Sequence, residues 1–213
     1  ISEVVVYKTP DASLITQGIG GTVDLRSVRP LDKNERIINA NVRFEKNGLE
    51  AVNPDMDDQG KRGSIGYIDQ FNDGKVGVAL AYAHMQSPNQ EERWHAWNYD
   101  RNEDGIRRLG GAKPYVRSSE LTRDSVLGVL EFAPNKDLHL TFDAMYVDFE
   151  DKQILRGVEL PIGYGRDDGS STIDILEERD GVATRFRAND VKGIVRNDVN
   201  FRQAELTSFG ANV

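Results

Sequence analysis

Apolar and polar residues alternate at a period of two in segment after segment of this chain, and no other feature restricts its fold as much. Between Arg36 and Glu45, Ile38, Ala40, Val42 and Phe44 fall on one side, and Asn39, Asn41, Arg43 and Glu45 on the other. From Ser64 to Phe71, Ile65, Tyr67 and Phe71 oppose Ser64, Gly66 and Gln70. Then Val76, Val78, Leu80 and Tyr82 oppose Gly77, Ala79, Ala81 and Ala83, a face so small that something bulky is expected to pack against it. Val126, Leu130 and Phe132 alternate with Leu127, Val129 and Glu131. Further on, Leu138, Leu140, Phe142, Ala144 and Tyr146 oppose His139, Thr141, Asp143 and Met145. A last strand is expected to begin near Glu205 and still be running at Val213, while helical periodicity is scarce.

Connection lengths alternate too. Short turns are expected at 72–75, where Asp73-Gly74 supplies the positive φ of a hairpin, and at 134–137. Long polar connections are expected at 46–63, 86–124 and 148–204. Compact domains rarely carry such loops. Outer-membrane barrels carry them on one side and short turns on the other, with strands of about 9–11 residues. The pattern therefore predicts an all-β chain forming part of a transmembrane antiparallel β-barrel; a soluble β-sandwich with two large insertions would produce a similar pattern.

Composition narrows the function classes. A net charge of −8 without a basic stripe argues against nucleic acid as a partner. Absence of cysteine removes thiol catalysis and thiolate metal sites. No apolar run approaches the roughly 20 residues of a membrane helix. The chain opens inside a predicted strand, at Ile1 to Tyr7, and so reads as an internal piece of something longer.

Val4-Val5-Val6-Tyr7-Lys8-Thr9-Pro10, then Gly18-Ile19-Gly20-Gly21-Thr22-Val23-Asp24-Leu25-Arg26 and Arg29-Pro30, resemble the plug terminus of TonB-dependent outer-membrane receptors. The Gly18–Gly21 version and its Val-Asp-Leu-Arg continuation are most similar to a large branch associated with carbohydrate uptake. Arg196-Asn197-Asp198-Val199-Asn200, running into Leu206-Thr207-Ser208-Phe209-Gly210, is similar to that branch's barrel entry after a long loop. The resemblance implies residues 1–30 as the C-terminal part of a plug domain, and 31–213 as the N-terminal part of a 22-stranded barrel, about six strands with long extracellular loops. It also implies a bacterial outer-membrane location and energy-coupled uptake of a scarce nutrient, with an oligosaccharide favoured and a siderophore the alternative. The TonB complex would be engaged through a segment outside this sequence. Gly18, Gly20 and Gly21 are expected to form a thin, positive-φ turn where backbone passes close to backbone.

Candidate chemistry is sparse. Trp94, His95, Trp97 and Tyr99 form an aromatic cluster suited to stacking on sugar rings, and equally to a membrane-interface girdle or a loop packed on itself. Asp100, Asn102 and Asp104 before Gly105 reproduce the opening of a calcium loop, but Gly111 stands where the closing glutamate belongs. A solvated acidic turn is the simpler reading, with Ca²⁺ requiring a ligand from elsewhere. Asp148, Glu150, Asp151, Asp167, Asp168, Glu177, Glu178 and Asp180 supply carboxylates without the fixed pair that glycoside hydrolysis needs. No enzyme is predicted. His84, His95 and His139 have no metal-binding spacing; His139 is expected to face inward in a hydrogen-bonded structural role. The competing class is a soluble extracellular β-module that binds glycans and buries Phe44, Leu80, Phe132 and Phe142 instead of offering them to lipid.

Overall fold

The computed structural model describes residues 2–14, 18–99, 101–163 and 172–213. Within them the chain is all-β and antiparallel. β1 (Glu3–Tyr7) and β2 (Thr22–Arg26) pair as one small sheet. A single 3-10 turn, Pro30–Asp32, leads to β3 (Ile37–Lys46), β4 (Gln59–Phe71), β5 (Val76–Trp97), β6 (Gly111–Asn135) and β7 (Leu138–Glu159). The hairpin β8 (Thr172–Arg179) and β9 (Val182–Asn189) precedes β10 (Ile194–Asn212). The main sheet runs β10-β7-β6-β5-β4-β3, a meander in which β10 returns to the side of β7 after the hairpin.

Both short turns fall where the sequence places them. The first is sharper than Asp73-Gly74 alone implies, because Asn72, Asp73 and Gly74 all have positive φ and the Lys75 N–H closes it onto the Asn72 carbonyl at 3.2 Å. The long connections need correction. β5, β6, β7 and β10 have 22, 25, 22 and 19 residues, so much of 86–124 and 148–204 is strand. The true connections are 47–58, 98–110 and 160–193. Alternation vanishes from the sequence there because both faces are polar, while the backbone ladder, which needs no apolar side chain, continues.

Register fixes two faces. The front face carries Gln70, Gly77, Glu131 and Asp143, and residues 27–33 sit on it. Leu31 lies over Gly77, where an added Cβ would come within 2.9 Å of its side chain. Glu131, 1% exposed, accepts the Leu31 N–H at 2.8 Å and meets His139 Nε2 at 2.9 Å. Asp143 accepts the Ser27 hydroxyl at 2.6 Å and Arg29 at 3.1 Å. The Gln70 Nε2 lies within 3.0 Å of the Pro30, Leu31 and Lys33 carbonyls. The small inner face thus has its bulky neighbour only at its turn end, over Gly77, while Ala81 and Ala83 stay exposed; His139 has its structural partner.

The back face is largely apolar and bare near the turns, with a polar exception on β4, where buried Asp69 pairs with Arg36 at 2.6 Å and accepts the Tyr67 hydroxyl at 2.7 Å. Phe44 is 80% exposed, Leu80 54%, Phe132 38%, Phe142 47% and Phe209 80%, and Ile38, Val42, Ile65, Val126 and Leu130 are also exposed there. On β5, β6, β7 and β10 this band ends at a polar row, His84, Asp124, Asp148 and Glu205, whereas on β3 it runs one level further to Phe44, in register with Lys61 and Gln86. Beyond that row, residues 47–58 fold over the back face. Asn53, wholly buried, donates to Ser118 Oγ at 3.0 Å and to the Ile154 carbonyl at 3.2 Å. Gln90 receives the Ser118 hydroxyl at 2.5 Å and donates to the Asp57 carbonyl at 2.8 Å. Among the described residues, buried apolar side chains are few: Ala79, Ala112, Val129 and Ile154. The accessible surface is 14510 Å², against about 9,900 Å² expected of a compact monomer of this mass. The sheet does not enclose a core of its own.

Candidate functional site

The far ends of β5, β6, β7 and β10, away from the short turns, hold the chemistry. Alternation divides the predicted aromatic cluster, because neighbouring residues on a strand point to opposite faces. His95 and Trp97 lie on the front face, their rings edge to face with centroids 5.9 Å apart. Trp97 covers Gly111, its register partner, where any side chain would collide with the indole. Trp94 lies on the back face, 61% exposed, and Tyr99 is exposed just past the end of β5. The four residues therefore do not make one patch, and Trp94, His95 and Trp97 sit on strand rather than on a loop.

On the front face His95 is registered beside Lys113. Lys113 lies 3.3 Å from Glu159, Glu159 lies 2.7 Å from Arg196, and Arg196 pairs with Asp198 at 2.5 Å. Nearer the middle of the strands, Arg93 one level in and Arg117 two levels in both pair with Glu91. Two aromatic rings are thus bordered by a hydrogen-bonded row of alternating charge. The sequence carries a signal for part of this row: Arg196 and Asp198, two apart on a strand, must share a face. Lys113 and Glu159 come from other strands and gave none.

Arg196 holds both carboxylates below the usual carboxylate range: its hydrogen bond to Glu159, seconded by Lys113, dominates there, and its bond to Asp198 dominates at the other. Carboxylates with lowered pKa stabilise the folded ends at neutral pH, and that contribution is lost as pH falls through the lowered values. Amide protection of 155–159 and 194–198, corrected for intrinsic exchange, is expected to hold at pH 7 and to drop once pH falls below the ordinary carboxylate range. A flat profile would show the row to be inconsequential.

The other predicted groups are dispersed. Gly21 has φ 131° and lies so close to Tyr7 that a Cβ would meet its carbonyl at 2.9 Å. Gly18 approaches the Gly21 carbonyl closely, whereas Gly20 has neither a close neighbour nor a positive φ. The three-glycine expectation thus reduces to two. Asp100 lies outside the described residues. Asn102 spends its Oδ1 on the Ile106 N–H at 2.8 Å and faces Asp104 at 3.3 Å, which is turn geometry. Among the described residues, no three His, Asp or Glu side chains converge as a metal site would require. Glu177 pairs with Arg185 and Glu178 accepts the Gly181 N–H, both inside the β8–β9 hairpin; Asp167 and Asp168 lie outside the described residues. His84 meets Asp124 on the back face, far from His95 and His139. No family model matches the chain, and no curated protein or solved structure shows significant similarity to it.

Proposed function

We propose that residues 31–213 are part of the wall of a transmembrane β-barrel, that residues 1–30 end a plug lying within it, and that the intact protein imports an oligosaccharide across the bacterial outer membrane in the manner of TonB-dependent receptors. The bare apolar band on the back face carries this reading. Water-exposed sheets place polar residues outward, and monomeric proteins rarely expose apolar patches beyond a few hundred Å². A β-sandwich module would cover Phe44, Leu80, Phe132 and Phe142 with a second sheet; here all four are open.

The dimensions fit a bilayer. From Val76 to the polar row at His84 the strand covers about 27 Å, or roughly 20 Å of height at a tilt near 40°, against an apolar band of about 25 Å in such barrels. Tyr82 and Tyr146 adjoin the polar row, the place of an interfacial aromatic girdle. Closure with further strands satisfies β3 and β10, whose outer edges are unpaired among the described residues. The far ends then stand above the membrane, and His95 and Trp97 with the Lys113–Glu159–Arg196 row line the interior as the sugar-contacting wall.

Detergent dependence tests the reading. The intact protein is expected to fractionate with membranes, to require detergent for extraction, and to precipitate when detergent is withdrawn. A monodisperse protein in plain buffer, with Leu80 and Phe142 inaccessible to carbene footprinting, would refute the barrel.

A further inference from the structure

We infer that the back face of the far end carries a second carbohydrate site, built on Trp94 and separate from the wall on the front face. Trp94 and Pro114 are register partners, as are Val158 and Val195. Pro114 falls opposite Val158, between the pairs Tyr115–Gly157 and Ala112–Leu160. These four residues make one apolar row across four strands, and Val195 is 82% exposed. The next row toward the short turns is polar at its ends: Glu92, Val116, Arg156 and Asn197. Between the rows lies a shallow groove of about 560 Å³ lined by Trp94, Pro114, Val116, Val158, Glu92 and Arg156 among others.

This pairing of rows selects the ligand. A pyranose has an apolar C–H face that stacks on an indole and a rim of hydroxyls that both donate and accept. Strand residues of one face repeat about every 6.6–7 Å, close to the width of one sugar ring, so a ring stacked on Trp94 brings its rim to the polar row. Glu92 there accepts. Arg156 donates, already oriented by the Asn197 Oδ1 at 3.0 Å and by Asp55 at the edge of the 47–58 loop. Asp55 already neutralises Arg156, which leaves Glu92 as the carboxylate facing the groove, so a neutral glycan suits it better than a uronate. The groove is shallow and open and is lined by only a few residues, whereas a stable protein interface engages roughly 20–30 residues a side. Its position beyond the polar row and the 47–58 loop separates it from the apolar band.

The site is tested by fluorine NMR of the intact protein labelled with 5-fluorotryptophan, in detergent or plain buffer as its solubility dictates. The Trp94 and Trp97 resonances are assigned as those lost in Trp94→Phe and Trp97→Phe. Neutral linear glucans, mannans, xylans and galactans of four to six rings are the probes, with oligogalacturonate for comparison. The Trp94 resonance is expected to shift saturably with at least one neutral glycan, at a midpoint different from that of Trp97, and Arg156→Ala is expected to raise the Trp94 midpoint about five- to ten-fold. A Trp94 resonance unmoved by every sugar, moved only by a co-purifying protein, or sharing one midpoint with Trp97 overturns the second site. Because Trp94 has its own signal, these outcomes are distinct from failure of the barrel reading, which detergent dependence decides.

Discussion

Leu80→Arg is expected to destabilise the intact, lipid-reconstituted protein by about 2–4 kcal/mol, the cost of a cation on the lipid face near the middle of a bilayer. Leu80 is 54% exposed, and its β4 and β6 register partners are Tyr67 and Gly128. Were this face wet, an arginine there would be harmless, since surface substitutions in water usually stay within about 0.5 kcal/mol. Asn41→Arg supplies the internal control, because Asn41 lies on the front face of β3, and it is expected to change stability by no more than about 0.5 kcal/mol. Urea unfolding in lipid vesicles measures both. Equal, small effects of the two arginines would remove lipid from the back face.

Asn53 is the other position where a single change should matter most. Its side chain holds the 47–58 loop against β6 and β7 through Ser118 and the Ile154 carbonyl, at zero exposure. Asn53→Ala removes both bonds in a site that water does not reach, and a loss of about 1–3 kcal/mol is expected. Asn53→Asp is expected to be worse at neutral pH. The Asn53 Oδ1 is buried without a hydrogen-bond partner, so an aspartate would bury charge there and forfeit the donor that Ser118 and Ile154 use. Unfolding midpoints rank the variants, and limited proteolysis reports whether 47–58 has come away. An aspartate as stable as the asparagine would mean that the loop does not dock as described.

The barrel and plug assignment remains our proposal, resting on the bare face and on the resemblance of the first 30 residues. The all-β antiparallel architecture is common ground for any reading of the chain. On that proposal, a lipid-facing band would account for how few apolar side chains are buried, among the described residues, in a sheet of six strands.

Sequence alone determined what is local. Period-two alternation told the two faces of Ile37–Lys46 and Val76–Ala83 apart, sent His139 and Asp143 to the front, and Asp-Gly placed the turn at 72–75. Those properties follow from the pleat and from φ preferences, which each residue carries by itself. Tertiary structure decided what depends on partners. The strands run on through polar stretches because neighbouring backbones pair there, and the aromatic cluster parts because odd and even positions of β5 look opposite ways. Glu131 and Asp143 find Leu31 and Arg29 about a hundred residues back, and Asn53 finds Ser118, only once the sheet has assembled. A hydrogen bond between distant segments leaves no periodic trace in either of them, so only the folded sheet could supply it.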